Sequence, residues 1–273
     1  MLQFRTEKLS ARITRIFAFS TELMYLVEGE DKAALLDTGS GFGSLKECVE
    51  SLTKKPIVVL LTHGHVDHAM GAAEFDEVYM NRADDYIFKE HGEIEFRKKG
   101  LINPDFKISE ADLLPTPDLN SFRNMNEGDV FDLGGVSIEV YDCIGHTRGS
   151  VVFLIKEERT LLLGDACNPF TFMFDTYSTS IAEYEASLHK LQNKVNGKYD
   201  TVLLSHGDGN GSREMIEGVV RVCKDIQCGN TDDIPFEFMG VKALIAKKIL
   251  PSGKRADGGI GNIVYNKNKI GII

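Results

Sequence analysis

Residues 57–68 read Ile57-Val58-Val59-Leu60-Leu61-Thr62-His63-Gly64-His65-Val66-Asp67-His68. The five apolar residues at the start predict a fully buried β-strand, because such a run has no polar side to turn towards water. His63 and His65 are two positions apart, so they share one side of an extended segment but would diverge on a helix. Imidazole and carboxylate groups are the usual ligands of zinc, and also of manganese or iron. The segment therefore predicts a strand that ends in a metal-binding loop.

Three further apolar segments end in the same way, with a His or an Asp next to a glycine. They are Val136–Asp142 before Gly145-His146, Thr160–Leu163 before Gly164-Asp165, and Val202–Leu204 before Ser205-His206-Gly207. Loops that follow the carboxyl ends of strands converge in layered α/β structures, because the sheet fixes their positions. Five of the seven histidines of the chain lie in the loops after these strands, so we expect one shared site.

Taken in order, these motifs resemble the metal motifs of the metallo-β-lactamase superfamily over about residues 23–207. The resemblance implies an α/β fold, a four-layer αββα sandwich, with the metals at one rim of the paired sheets. It also implies which side chains bind the metals. The first metal is assigned to His63, His65 and His146, the second to Asp67, His68 and His206, and Asp165 bridges both.

The same resemblance implies a hydrolase with two divalent ions, zinc first, with iron or manganese as alternatives. Two such ions lower the pKa of a shared water to about 7, so we expect the resulting hydroxide to attack a small ester, thioester or lactone. The best-known zinc β-lactamases carry Cys where Asp165 stands, which argues against antibiotic hydrolysis. A persulfide dioxygenase that uses a single iron with the same motif residues is the alternative from another class. A phosphodiesterase is the third candidate.

Catalytic roles are assigned to Asp67 and Asp165 through the metals, and to Tyr177 as a donor to the leaving group. Asp37, in the turn Asp37-Thr38-Gly39, resembles an aspartate of the family that does not itself bind the metals. It either orients a histidine or a loop, or it forms a local Asx turn, and the sequence leaves both open.

The remaining candidates are aromatic, thiol and histidine side chains outside the motifs. Phe170, Phe172 and Phe174 either line an apolar pocket or take part in ordinary packing. Cys167 is expected to be a buried packing thiol. His91 and His189 lie in charged, helix-like surroundings, so we expect both to be solvated.

Periodicity and turn residues predict the other elements. Further strands are expected at Arg12–Phe19, Leu23–Glu28, Ala33–Asp37 and Val151–Ile155. Helices are expected at Leu45–Leu52, His68–Phe75, Ala182–Asn193, Arg213–Val222 and Val241–Ile249. Residues 81–120 form a charged insertion, helical over Asn81–Lys99, that could act as a lid or a partner contact. We expect one domain over residues 1–228, with an extension over 229–273 packed on it and a strand or two in Asn262–Ile273.

Composition limits the class of protein. The 273 residues are 42% hydrophobic and carry a net charge of −10, which argues against nucleic-acid binding. The longest aliphatic run, Ile57–Leu61, is far shorter than the ~20 residues of a bilayer crossing. The first seventeen residues are interspersed with charges, and the five cysteines are scattered, so we expect a cytoplasmic protein with reduced thiols. The expected partner is a small-molecule substrate, without nucleic acid or membrane, and the resemblance allows a homodimer.

Overall fold

The computed structural model describes residues 3–99 and 110–271. The strands of these ranges are β1 (Arg5–Lys8), β2 (Ile13–Phe17), β3 (Leu23–Glu28), β4 (Ala33–Leu36), β5 (Ile57–Leu60), β6 (Val78–Met80), β7 (Arg123–Asn124), β8 (Val130–Asp132), β9 (Ser137–Asp142), β10 (Val151–Ile155), β11 (Thr160–Leu162), β12 (Thr171–Met173), β13 (Thr201–Leu203), β14 (Asn210–Gly211), β15 (Ile234–Phe238), β16 (Val241–Ile245) and β17 (Ile263–Tyr265). The helices are α1 (Leu45–Leu52), α2 (Val66–Ala69), α3 (Asp85–Gly92), α4 (Ile94–Lys99), α5 (Ile181–Val195) and α6 (Met215–Gln227).

Two sheets form the centre of the molecule. The first has the strand order β1-β2-β3-β4-β5-β6-β7, and the second has the order β14-β13-β11-β10-β9-β8. In the first sheet the pairing is antiparallel up to β4 and parallel from β4 to β5. Parallel neighbours need a crossover connection, and α1 supplies it between β4 and β5.

Side-chain alternation along the central strands shows four layers. On β4, Ala34 and Leu36 belong to the core between the sheets, whereas Ala33 and Leu35 belong to the core that includes Leu45 of α1. On β10, the alternating residues face either the first sheet or the helices α5 and α6. Both faces of both sheets are therefore covered, as all-apolar strands require. The predicted four-layer αββα sandwich is confirmed.

A third sheet, in the order β12-β17-β16-β15, joins the last part of the chain to the sandwich. Strand β12 pairs in parallel with β17, where Phe172 lies opposite Val264. Ile263 and Tyr265 point into the core that α6 also covers. Gly218 of α6 permits this close approach, because a Cβ there would lie 2.3 Å from the Ile260 carbonyl oxygen.

The helix predicted at Val241–Ile249 is wrong, because residues 241–245 form strand β16. Met239 and Gly240 both have positive φ, of 49° and 80°, which is the geometry of a two-residue hairpin turn. This turn pairs β16 with β15, and β17 pairs with its other edge. Strand pairing therefore overrides the local sequence pattern. No strand was predicted at β15 either.

The other differences are smaller. The helix predicted at His68–Phe75 is a short α-helix, α2, followed by a 3₁₀ helix over Met70–Glu74. The helical segment predicted at Asn81–Lys99 is divided at Glu93, which is extended. The predicted insertion includes residues 100–109, and the predicted terminal strands include 272–273; both lie outside the described residues. In the described ranges no helix combines the length and the hydrophobicity that a membrane crossing requires.

Candidate metal centre

The seven side chains predicted to bind metals come together at one edge of the sandwich. Four of them follow β5, in the loop before α2 and in α2 itself. The other three follow β9, β11 and β13, which run in the same direction because β10 is antiparallel to two of them and β11 is parallel to β13. Their donor atoms form two groups, with at most 4.8 Å between the atoms of a group: His63, His65 and His146; and Asp67, His68, Asp165 and His206.

The first group contains three imidazoles. His65 Nδ1 lies 3.0 Å from His63 Nε2 and 2.9 Å from His146 Nε2. The three rings meet nearly edge to face, which directs their nitrogen atoms towards a common point rather than stacking the rings. His63 and His146 are both buried. Three imidazole nitrogens in this arrangement could hold one transition-metal ion.

The second group contains two imidazoles and two carboxylates. His206 Nε2 lies 3.1 Å from Asp165 Oδ2 and 3.5 Å from Asp67 Oδ2. His68 Nε2 lies 3.4 and 3.5 Å from the same two oxygens. Each nitrogen therefore faces both carboxylates, so the four donor atoms surround one point. This mixed donor set also suits zinc, iron or manganese.

Hydrogen bonds on the outer side of the rings fix the orientation of three histidines. His146 Nδ1 donates to the Phe172 carbonyl oxygen over 2.8 Å, and His68 Nδ1 donates to Asp37 Oδ2 over 2.9 Å. His63 Nδ1 lies 3.0 Å from Thr62 Oγ1. Carbonyl and carboxylate oxygens only accept, so Nδ1 carries the proton in the first two rings. The Nε2 lone pairs of these rings consequently point into the centre.

Asp37 connects the two groups. Its Oδ2 accepts from His68 Nδ1. The carboxylate also accepts from the Thr62 hydroxyl, whose oxygen lies 3.0 Å from Oδ1 and 2.8 Å from Oδ2. Because the single Thr62 hydroxyl proton is used there, Thr62 Oγ1 must accept from His63 Nδ1. The Thr62 backbone N–H also donates to Asp37, over 2.7 Å. The role of orienting a histidine is therefore confirmed for Asp37, and the local Asx turn does not explain these contacts.

The charges of the two groups differ. Burial and the neighbouring histidines lower the pKa of His63 and His65 well below the usual value, so both rings are neutral donors. Burial also opposes charge on His206, but Asp165 and Asp67 outweigh it and raise the pKa of His206 to about 11. In return, His206 and His68 overcome the effect of burial and hold the pKa of Asp165 well below the usual value.

Two buried atoms indicate that cations fit between these residues. His68 Nε2 and Asp165 Oδ1 are buried and have no hydrogen-bond partner among the described residues. A buried polar atom without a partner costs about 1–3 kcal/mol, and more when it is charged. Three lone pairs converge in the first group, and two carboxylates converge in the second. A metal ion in each group would satisfy these atoms, so the residues present fit two ions.

An aromatic wall stands beside the first group. It consists of His91, Tyr86 and Phe96 from the 81–120 segment, together with Tyr177. The His91 ring stacks on His65 at 4.9 Å, and the Tyr177 ring lies 6.1 Å from His65. His91 is only 8% exposed, and its Nδ1 accepts from the Val66 backbone N–H. The expectation that His91 is solvated is therefore wrong, because α3 packs onto the metal-binding loop.

Asp84 is a buried residue of the candidate site that sequence reasoning missed. Its fully buried carboxylate accepts from the Gly64 N–H over 2.9 Å, the Gly149 N–H over 2.7 Å and the Thr147 hydroxyl over 2.7 Å. Burial raises the pKa of Asp84, although these three donors oppose the rise. It thus ties the loop of His63 and His65 to the loop of His146. The only sequence signal was an aspartate in a charged stretch, which usually faces solvent.

Most of the remaining candidates lie away from the donor atoms. Cys167 is a buried free thiol, as predicted, and burial raises its pKa to about 12. His189 is exposed, as predicted, and pairs with Glu185 on α5. Phe170, Phe172 and Phe174 lie on the third sheet, where they pack with Phe236 rather than around the metal groups.

Comparisons with known proteins agree with this geometry. Residues 19–206 match the family model described as the metallo-beta-lactamase superfamily. The chain is 25% identical over 221 residues to the acyl-coenzyme A thioesterase MBLAC2 of Homo sapiens, covering 70% of this chain and 75% of that protein. It is 25% identical over 207 residues to the hydroxyacylglutathione hydrolase GloC of Haemophilus influenzae, covering 74% and 91%.

Solved structures show the same fold. A metallo-beta-lactamase from Pontibacter korlensis superimposes with a TM-score of 0.58 at 20% identity, covering 80% of this chain and 98% of that one. The family match includes all four loops that carry the seven donor side chains. The chain therefore belongs to the metallo-β-lactamase superfamily and is a hydrolase of that fold.

Proposed function

We propose that the protein is a dinuclear metal-dependent hydrolase of carboxylic thioesters, with esters and lactones as related substrates. The observation that carries the proposal is the convergence of seven donor side chains from both central sheets in two adjacent groups. Two of the relatives, the acyl-coenzyme A thioesterase and the hydroxyacylglutathione hydrolase, are named for thioester cleavage. Thioesters are therefore the first class to test.

The proposed ligands follow the two groups. His63, His65 and His146 would hold the first ion, and Asp67, His68 and His206 would hold the second. Asp165 would bind both, because Oδ2 faces the second group and Oδ1 has no partner among the described residues. Zinc is the first candidate, with iron or manganese as alternatives. Two divalent ions at these positions would supply a hydroxide at neutral pH and a Lewis acid for the oxygen that gains charge.

The side chains around the ions would position the substrate and control protons. Burial, together with the hydrogen bond to Glu90, raises the pKa of Tyr177 well above the usual value, so the phenol keeps its proton at neutral pH. Tyr177 lies beside His65 and is 7% exposed. Its single hydroxyl proton is donated to Glu90, so Tyr177 would have to exchange that contact for the leaving group in order to act as its hydrogen-bond donor. His91 and Tyr86 line the same side of the site and would exclude water from it.

The test compares reconstituted proteins on a substrate panel. Protein loaded with zinc, manganese or iron(II) is assayed with acetyl and butanoyl thioesters, a lactone, a phosphodiester and glutathione persulfide, and its metal content is measured. We expect two ions per chain and thioester hydrolysis. His65→Ala and Asp165→Ala should each lose metal and lower kcat/KM by at least about 10²-fold. His189→Ala, at an exposed histidine on α5, serves as the control and should behave as wild type.

Three results would contradict the proposal. Full turnover by the His65→Ala or Asp165→Ala protein, despite loss of metal, would show that the ions are not needed. One iron per chain, together with oxidation of glutathione persulfide and no thioester cleavage, would favour the dioxygenase instead. Cleavage of the phosphodiester alone would identify the protein as a phosphodiesterase, the third candidate.

A further inference from the structure

The third sheet has an aromatic side that the proposed function does not use. Five phenylalanines lie on it, and we call them the aromatic face: Phe170, Phe172, Phe174, Phe236 and Phe238. Strand register places them together, because Phe172 lies opposite Val264 and Phe236 lies opposite Ala243, on the same side of the sheet. Neighbouring rings contact each other at centroid distances of 5.1 to 6.5 Å. The face is therefore one continuous apolar surface.

The opposite side of this sheet packs against the body of the protein, whereas Phe174 and Val264 on the aromatic side are buried in the cluster that the other phenylalanines join. Met173, Tyr265 and Leu244 point to the opposite side, where α6 completes the core. The charged residues of the hairpin, Glu237 and Lys242, also pair on that side, by the alternation of the strands. On the aromatic face, Phe238 is 46% exposed and the adjacent Val241 is 39% exposed. A protein that is a monomer in water rarely exposes contiguous apolar surface unless it binds something.

The aromatic face is continuous with the proposed active site. The Phe172 carbonyl oxygen accepts the hydrogen bond from His146, while the Phe172 ring contacts Phe170, Phe174 and the two phenylalanines of β15. The chain then runs from Phe174 to Tyr177, whose ring packs beside His65. One short segment thus borders the first group of histidines and also forms the aromatic face. An apolar group joined to the reacting carbonyl would run along this segment from the first group to the aromatic face.

We propose that the aromatic face binds the acyl chain of the substrate, so that the protein prefers thioesters of medium-chain or longer fatty acids. This inference rests on the proposed hydrolase function. Aromatic rings bury methylene groups without hydrogen-bonding demands, and each buried methylene contributes about 0.8 kcal/mol, or about fourfold in binding. Four strands at a spacing of ~4.8 Å and up to five residues at ~3.3 Å give a face of roughly 300 Å². A stable dimer interface buries about 800 Å² on each partner, so a second copy of the chain fits less well.

The test measures how kcat/KM depends on chain length. Acetyl, butanoyl, octanoyl and dodecanoyl thioesters of one thiol are hydrolysed by the zinc-loaded full chain and by its Phe238→Ser and Phe236→Ser variants. Val130→Ser removes an apolar side chain that is 58% exposed on β8 of the second sheet, and it is the matched control. We expect wild type and control to gain up to about fourfold per methylene. In both phenylalanine variants the octanoyl-to-acetyl ratio should fall by at least about tenfold, with the smallest loss for acetyl.

A second measurement separates failure of this inference from failure of the proposed function. Dodecanoate binding to the same proteins is measured by calorimetry, which needs no turnover. If no thioester is cleaved but dodecanoate binds to wild type and binds at least about tenfold more weakly to Phe238→Ser, the acyl site stands and the hydrolase proposal fails. If cleavage shows the same chain-length ratio in all four proteins, the acyl site is refuted and the hydrolase stands. The acyl site is also refuted if the phenylalanine variants only convert a dimer to a monomer.

Discussion

At the scale of single residues, Asp84 joins two loops that are distant in sequence. Its carboxylate accepts from Gly64 in one loop and from Thr147 and Gly149 in the other. We expect Asp84→Asn to leave the Gly149 N–H facing an amide donor, which costs about 1–3 kcal/mol of the free energy of unfolding. Because the two loops carry the first group of histidines, zinc affinity at that group should fall by about 10- to 100-fold. Chelator competition measures the affinity, and denaturant titration measures the stability.

Asp129→Asn is the control for this prediction. Asp129 also accepts from a backbone N–H, that of Asn126, but it is only half-buried and lies in the turn before β8. We expect it to bind both ions as wild type does. If Asp84→Asn loses stability but keeps both affinities, the carboxylate supports the fold without positioning the histidines.

The residue scale also shows what the sequence could and could not predict. The convergence of the donors was predictable because each lies in the segment that follows an apolar strand, whereas their assignment to two metals came from the resemblance to the family. Asp84 and His91 were not predictable, because their neighbours in sequence are charged, while their burial depends on how residues 81–99 pack onto the metal-binding loop. A charged helix is expected to be solvated until its contacts are known. Long-range packing, not the local pattern, buried these two side chains.

At the scale of elements, the hairpin of β15 and β16 shows the same limit. The pattern of residues 241–249 predicted a helix, yet Met239 and Gly240 form the two-residue turn of a β-hairpin. Strand pairing with β15 on one edge and β17 on the other then determines the structure of β16. Eight strands of the two central sheets, β2 to β5, β9 to β11 and β13, were predicted because their buried runs are bounded by turn residues, whereas the short or exposed strands β1, β6, β7, β8 and β14 were not. In the third sheet the decisive signal is the turn rather than the strand.

The turn can be tested by substitution. Gly240 has a φ of 80°, so we expect Gly240→Ala to lower the free energy of unfolding by about 1–2 kcal/mol. Met239 has a φ of 49°, which disfavours its side chain, so Met239→Asn should raise the free energy by less than about 1 kcal/mol. Denaturant titration and amide exchange at β15 measure both effects. Effects of the same sign at the two positions would show that this turn does not control the stability of the hairpin.

At the scale of the whole molecule, the metal centre joins the two central sheets. His63 and His65 follow β5 of the first sheet, whereas His146 follows β9 of the second. In the second group, Asp67 and His68 belong to the side of the first sheet, and Asp165 and His206 follow strands of the second. An ion in either group would therefore bind only when the sheets are correctly packed. Metal binding and folding should be thermodynamically linked.

This linkage predicts how removal of metal changes the melting temperature. A ligand at a free concentration of 100 times its Kd stabilises the native state by about 2.7 kcal/mol, which is roughly 5–10 °C in Tm for a chain of this size. We expect a chelator to lower the Tm by that amount, and added zinc to restore it. His206→Ala should lose most of the zinc-dependent shift, because it removes a nitrogen of the second group. His189→Ala should keep the full shift, since that side chain is exposed and remote from both groups. Equal melting temperatures for wild type with zinc and with chelator would show that the donor atoms do not bind ions across the two sheets.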